Sequence, residues 1–287
     1  MKLEEYLTQQ YSKTTAKAYK REIEIYLGNN KEAETASHKD IVNHIGNLRN
    51  RYSNPKTINR ILASIKAYYT YLASTGKRKD NPAKSIRLRD KQNRDIQLQD
   101  LFTTEELENL LHRKERYNLL TIRNKILTGL LIYQALLPNE LETITINDIN
   151  LEQGTIHLKS QSKTNGRTLQ LKPTQIMVLY QYVQEIRIKL NKNPQNEKLL
   201  IGKTGNPMPA EDITKHIKRS FKGIYSPRKV NCQTIRQSVI TNLLKAGNDL
   251  RIVQVFAGHK NPSTTEKYKQ SNMEALKTAI QQYHPLK

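Results

Sequence analysis

Residues 56–76, KTINRILASIKAYYTYLASTG, repeat apolar side chains at intervals of three and four. Ile58, Ile61, Leu62, Ile65, Tyr69 and Leu72 then fall on one face of a helix. No strand can bury them together, because a strand returns to the same side every second residue. Gly76 follows where such a helix has to stop. Upstream, SKTTAKAYKREIEIYL repeats the pattern with Ala16, Tyr19, Ile23 and Tyr26. Lys13, Lys17, Lys20 and Arg21 fall on a different face. Residues 1–75 are therefore expected to be all-helical.

Charge narrows the function. The chain of 287 residues carries 48 Lys and Arg against 26 Asp and Glu, a net charge of +22. The excess is spread, with +9 in residues 1–100 and +13 in the remainder. A basic tail would concentrate charge at one end. Basic residues throughout two folded regions suggest a protein that surrounds a polyanion such as nucleic acid. A one-sided row of lysines can hold a phosphate backbone, or it can simply be a solvated face. The residues read as DNA contacts are Lys13, Lys17, Lys20, Arg21, Lys56, Arg60, Lys77, Arg78 and Lys79. No apolar run approaches the ~20 residues of a membrane span. The N-terminus lacks the apolar stretch of a signal peptide. Cys232 is the only cysteine, which excludes an intrachain disulfide and a Cys cluster for zinc. A cytoplasmic location is expected, with no membrane partner.

Residues 77–94, KRKDNPAKSIRLRDKQNR, break the helical period and hold eight basic and two acidic residues. They read as part of a linker between two domains. The boundaries expected are a helical domain over 1–85, a basic linker over 86–101 and a second domain over 102–287. Thr104 before EELENLLHR reads as a capped helix start, and 117–136 as a long apolar helix. TIHLKS and RTLQLK alternate every second residue, with Asn165-Gly166 as a turn between them. A small antiparallel sheet thus interrupts a mainly α domain.

The last sixty residues carry the most specific spacing. QTIRQSVITNLLKAG reads as a helix with Arg236 near its start and Gly247 at its end. DLRIVQVFAGH reads as a second helix with an Asp cap, ending near His259. Ser263-Thr-Thr-Glu266 reads as a capping box that starts a new short helix, with Tyr268 early on it. Arg236, His259 and Tyr268 thereby converge from adjacent elements. A tyrosine hydroxyl beside cationic donors can attack a phosphodiester, provided the cations stabilise the pentacovalent phosphate. No metal or other cofactor is needed for that chemistry. The chain has no nucleotide P-loop, no HExxH and no paired acidic metal motif.

Arg236, Ala257-Gly258-His259, Thr264-Thr265 and Tyr268 resemble the C-terminal boxes of the tyrosine recombinases, the phage-integrase family. The resemblance extends over nearly the whole chain. Residues 1–75 with Asn81-Pro82-Ala83 are similar to the family's helical, SAM-like core-binding domain. LFTTEELENLL resembles the start of its α-rich catalytic domain, and Lys163 in SKTNGRTLQL is similar to the lysine of its β-hairpin. The resemblance implies that Tyr268 attacks the scissile phosphate to leave a 3′-phosphotyrosine. It implies that Lys163 protonates the leaving oxygen and that Arg236 and His259 stabilise the phosphate. It also implies double-stranded DNA as partner and a homotetramer on two duplexes, with residues 272–283 docking on a neighbouring copy. A second recombinase could be a further partner.

Two positions depart from the pattern. Leu137, in ALLPNEL, stands where the family's first arginine belongs, and Gln233 stands at a family histidine. Leucine offers a developing phosphate charge nothing, and the loss of one such cation costs ~10³–10⁵ in rate. Gln233 forms hydrogen bonds but accepts no proton at neutral pH. Arg123 is too distant a substitute along an unbroken helix; Arg228 and Lys229 are less excluded. Two readings stand: a weakened recombinase or integrase, and a recombinase-like DNA-binding accessory protein without strand exchange of its own.

Overall fold

The computed structural model describes residues 2–90 and 100–268. They belong to two compact units, divided between Arg94 and Asp95. The first unit is built from α1 (Leu3–Gln10), α2 (Lys13–Asn29), α3 (His38–Arg51) and α4 (Pro55–Ser74). Short polar side chains set the starts. Ser12 Oγ accepts from the Thr15 N–H, Ser37 and Asp40 form a reciprocal capping box, and Asn54 Oδ1 accepts from the Lys56 N–H. Gly76, at φ +72°, follows the end of α4. The expected stripe on α4 is buried throughout, with Ile65 and Tyr69 fully enclosed.

The charged stretch after α4 is laid along this first unit at least as far as Asp90. Ala83 and Ile86 are buried, and Leu88 packs against the same core. Lys66 Nζ donates to the Ile86 carbonyl, and Arg49 pairs with Asp90 at 3.0 Å. Its basic side chains dominate the composition, but two small apolar anchors decide where the backbone goes.

One polar cluster sits inside that core. The Tyr69 hydroxyl donates to the Ala33 carbonyl at 2.7 Å and meets the Tyr26 hydroxyl at 2.7 Å. Tyr69→Phe keeps the ring and strands both partners without water. It should lower the stability of this unit by ~1–3 kcal/mol, read as an earlier midpoint of its urea transition at unchanged slope.

The second unit runs through α5 (Thr104–Asn109), α6 (Asn118–Tyr133), α7 (Pro138–Thr143) and three short strands. These are β1 (Ile149–Asn150), β2 (Thr155–Leu158) and β3 (Arg167–Gln170), antiparallel in that order, with Thr155 opposite Gln170 and Leu158 opposite Arg167. α8 (Pro173–Gln181) continues through a π-helical turn at 182–186 into α9 (Arg187–Leu190). α10 (Ala210–Ser220), α11 (Cys232–Lys245), α12 (Leu250–Ala257) and α13 (Pro262–Glu266) complete it. Leu127, Leu130 and Leu131 of α6 lie at the centre of one core with Ile156, Tyr182, Leu199, Ile213 and Ile235. Phe102 is tied to α11 by Ser238 Oγ and Asn242 Nδ2. No helix among the described residues is long and apolar enough to cross a membrane.

Four local expectations are corrected. The cap of α5 is Thr103, one residue before Thr104, because Glu106 is the residue that reaches back to it. α6 stops at Tyr133, and Ala135 turns into the left-handed region at φ +50°. Asn165-Gly166 does not close a tight hairpin: residues 159–166 form a loop, and the Asn165 N–H donates outward to the Gly258 carbonyl at 2.9 Å. α13 starts at Pro262, since proline suits a first helical turn, so Ser263 is inside it and Tyr268 lies just past its end.

Candidate active site

Asn231 accepts from the N–H groups of Gln233 and Thr234 and so fixes the start of α11. Arg236 comes one turn later and is buried. Its guanidinium donates to the carbonyls of Ala135 and Ala257. Burial pulls its pKa down and Glu140 pulls it back up; a guanidinium stays charged through such a shift. The left-handed turn at Ala135 costs an alanine roughly 1–2 kcal/mol, and that turn carries one of the two carbonyls.

α12 opens on Asp249, as expected, and ends on Gly258 in the left-handed conformation. His259 follows, buried, with Nδ1 held by Thr265 Oγ1 at 2.8 Å. Burial, Arg236 and Arg167 push its pKa down to about 4, against a smaller pull from Glu140. The ring is therefore neutral at neutral pH, and Nε2 is the nitrogen left for a ligand. Tyr268 is stacked on this ring, centroids 6.1 Å apart and planes at 13°. It packs with Ile240, Val253 and Ala257. Burial raises its pKa, opposed by Arg236, so the phenol is protonated at rest.

Lys163 is exposed on the 159–166 loop. That loop is pinned on two sides. Thr164 bridges to His259 in β fashion, and Gln161 Nε2 donates to the Asn139 carbonyl and to Thr143 Oγ1. Leu137 precedes α7, half-buried; its N–H donates to Glu140 Oε2 at 2.8 Å and its carbonyl accepts from the Leu141 N–H at 3.0 Å. Gln233 is exposed. The six positions Tyr268, Arg236, His259, Lys163, Gln233 and Leu137 all line one groove of about 1290 Å³. Among the described residues its lining holds eight Lys and Arg and no Asp or Glu.

Several members of this site escaped the sequence reading. Glu140 and Arg167 form a buried ion pair beside Arg236, at 2.7 Å. Lys215, Lys218, Arg219 and Lys222, from α10 and the turn after it, supply half of the groove's positive charge. Their spacing of three and four residues in ITKHIKRSFK was a legible signal. Arg167 carried none, since a lone arginine in a strand looks like any exposed basic residue.

The substitutes for the missing first arginine can be sorted. Arg123 is buried against the Ile201 carbonyl and Asn124. Arg228 is committed to Glu106 and the Leu101 carbonyl and lies over Phe102 and Tyr225. Lys229 is exposed on the groove, with no carboxylate paired to it among the described residues.

On the first unit, Lys13, Lys17 and Arg21 are exposed at four-residue steps along α2. Lys56, Lys77 and Lys79 are exposed as well. Lys20 pairs with Glu4 at 2.6 Å and Arg60 with Glu22 at 2.8 Å. Arg78 turns back to Asp80, the Glu34 carbonyl and the Tyr69 ring. Among the described residues, no three His, Cys, Asp or Glu side chains gather to hold a metal ion.

A SAM-like helical unit followed by this α-rich unit with its tyrosine-lined groove defines an integrase-type protein. Residues 100–275 match the model of the phage integrase family and residues 3–76 that of the phage integrase N-terminal SAM-like domain. The chain belongs to the phage integrase family of tyrosine recombinases. It is 28% identical to a tyrosine recombinase XerD of Oceanobacillus iheyensis over 281 residues, 96% of this chain and 93% of that one. It is 28% identical to a tyrosine recombinase XerC of Lactobacillus leichmannii over 232 residues, 80% and 77%. Among solved structures it is similar to the Tn1549 transposon integrase in complex with a circular intermediate DNA. The TM-score there is 0.69 at 18% identity, covering 96% of this chain and 99% of that one. It is also similar to the XerH recombinase bound to its difH substrate, with TM-score 0.65 at 21% identity, covering 85% and 70%. At those identities the likeness to the two structures is one of fold.

Gly258 is the hinge of this geometry. A Cβ there would meet Arg167 Nη1 at 2.4 Å, and the backbone stands at φ +68°. Gly258→Ala should cost the second unit more than ~2 kcal/mol, combining left-handed strain with a displaced buried pair. Chemical denaturation of the full chain, followed by the second unit's transition, checks this.

Proposed function

We propose that the protein binds duplex DNA at a specific site and cleaves and rejoins its strands through a covalent bond to Tyr268. The observation that carries this reading is the meeting of Tyr268, Arg236, His259 and Lys163 around one basic groove. Tyr268 Oη attacks the scissile phosphorus, and the bond to the 5′ oxygen breaks. Lys163 gives that oxygen its proton, leaving a free 5′-hydroxyl and a 3′-phosphotyrosine. Arg236 and the Nε2–H of a neutral His259 hold the charge that builds on the phosphate. The phenol's own proton passes to solvent water in the open groove, because a histidine depressed to about pKa 4 is a poor acceptor. Leu137 adds nothing to phosphate stabilisation. Cleavage is therefore slow, and Lys229 is the cation placed to offset part of that loss.

The basic faces of the two units supply the sequence-independent part of DNA binding. Lys13, Lys17, Arg21 and Lys56 act on the first unit, and the lysines around α10 on the second. Residues 272–283, with Met273, Leu276, Ala279 and Ile280 at helical spacing, lie outside the described residues. We assign them to docking on a second copy, which makes the protein a homo-oligomer on DNA and leaves room for a second recombinase as partner. A soluble, cytoplasmic protein suits this role. The second reading, a binding relative without strand exchange, is favoured by Leu137 and Gln233.

Binding should weaken steeply with salt. Five or more neutralised phosphates give a slope of about −4 or steeper in log affinity against log salt, measured by fluorescence anisotropy on a selected site. A slope near zero would remove the phosphate backbone from the account.

The chemistry is tested on a nicked duplex that traps the covalent intermediate. Wild type should yield a small amount of adduct, and Tyr268→Phe none. Leu137→Arg should raise the yield by ~10²-fold, the scale of a preorganised donor to a developing oxyanion. Lys229→Ala should lower it, whereas Arg228→Ala should act first on stability. If neither wild type nor Leu137→Arg with Gln233→His forms adduct on bound DNA, the binding-only reading stands instead.

A further inference from the structure

Glu140 is a carboxylate buried within reach of two arginines. Arg167 Nη1 donates to Oε1 at 2.7 Å and Nη2 to Oε2 at 3.3 Å, while the Leu137 N–H takes Oε2 at 2.8 Å. Arg236 Nη1 stands off at 4.0 Å, beyond hydrogen-bond distance, and donates to backbone carbonyls instead. Both oxygens of the carboxylate are thus engaged before Arg236 reaches it. Arg167 also ties three elements together. Its Nε donates to the Phe256 carbonyl of α12 at 2.7 Å, and Nη1 lies 3.4 Å from the Asn165 carbonyl on the Lys163 loop. Through Glu140 it holds α7.

We propose that Arg167 is a positioning residue: by engaging both oxygens of Glu140 it holds Arg236 at a long 4.0 Å ion-pair distance, short of a direct hydrogen bond, and leaves its guanidinium to hold phosphate in the groove. The absence of an arginine at 137 makes this decisive. Arg167 and Arg236 face one carboxylate, so a single guanidinium charge is left over. Remove Arg167, and Glu140 takes the remaining one, because a buried carboxylate recruits the nearest cation. Arg236 then points to α7 and its charge is spent inside the protein. The charged groups around His259, namely Arg236, Arg167 and Glu140, would lose one positive member, so its pKa would rise in parallel.

The consequence for phosphate rests on the function proposed above, whereas the consequence for geometry does not, so two measurements separate them. The first is a crystal structure of full-length Arg167→Gln. Arg236 is expected within 3.2 Å of Glu140, closer than the present 4.0 Å. An unmoved Arg236 overturns the proposal. The second uses Tyr268→Phe as background, so no strand is cut, and duplexes recovered by selection from random sequence. One methylphosphonate at a time replaces a phosphate along the strand. The parent should lose ~10-fold or more in affinity at one position, the scale of a charge-assisted contact. Arg167→Gln should lose that discrimination, as Arg236→Ala does. The neutral pair Arg167→Gln with Glu140→Gln should regain it, and Arg167→Lys should keep part of it. A purely structural role predicts no rescue by the neutral pair, and a folded but unrescued double variant therefore sinks the proposal. If Arg236 moves in the crystal but the parent shows no sensitive position, positioning stands and the reading of the groove as a phosphate site falls.

Discussion

One buried guanidinium sets the geometry of the second unit. Arg236 has lost most of its water, and a charge in that position persists only where fixed dipoles replace the solvent. Two carbonyls do so, Ala135 at the end of α6 and Ala257 at the end of α12. Each belongs to a chain reversal through the left-handed region, one at Ala135 and one at Gly258. The arginine thus clamps two helix ends, and the same clamp places His259 and Leu137 on either side of it. Packing of α6 against α11 gives the clamp a rigid base, since Leu127, Leu130 and Ile235 are fully enclosed.

Electrostatics around that arginine is a matter of counting charges in a poorly solvated place. Glu140 offers one negative charge, and its pKa is held down chiefly by Arg167 against the cost of burial. Around the groove, lysines from α10 and the Lys163 loop face open solvent, where salt screens them. The site therefore has an unscreened interior pair and a screened rim. The rim is suited to attract a polyanion from a distance, and the proposed function gives the interior the task of fixing one phosphate. The neutral imidazole of His259, stacked on Tyr268, adds a donor without adding charge.

Helical periodicity carried most of the architecture. The α4 stripe, the Asp249 cap and the glycine stops at 76 and 247 were legible because each rests on local chemistry. The short spaced pattern from Arg236 to Tyr268 was legible for the same reason. What was not legible depends on contacts far apart in sequence. The Asn165 N–H leaves its own hairpin for Gly258, so an Asn-Gly pair that looks like a tight turn becomes the foot of a loop. Arg167 finds Glu140 twenty-seven residues away. Arg228 is drawn off by Glu106, far upstream, and no spacing rule near position 228 announces it. The stretch after α4 misled through composition, because Ala83 and Ile86 count for little in a tally of charge and for much in packing.

Leu137 has a consequence for how such a chain drifts over generations. Its side chain is half-buried at a helix start, and its hydrogen bonds are those of its backbone, an N–H to Glu140 and a carbonyl that accepts from Leu141, which any residue except proline provides. Position 258 accepts little but glycine, position 135 is held in the left-handed region, and Glu140 and Arg167 constrain each other. The frame is thus far less free to change than position 137. A lineage can lose or regain an arginine there in a single step that folding does not register. Under the proposed function, selection on strand exchange would then decide which residue stands there.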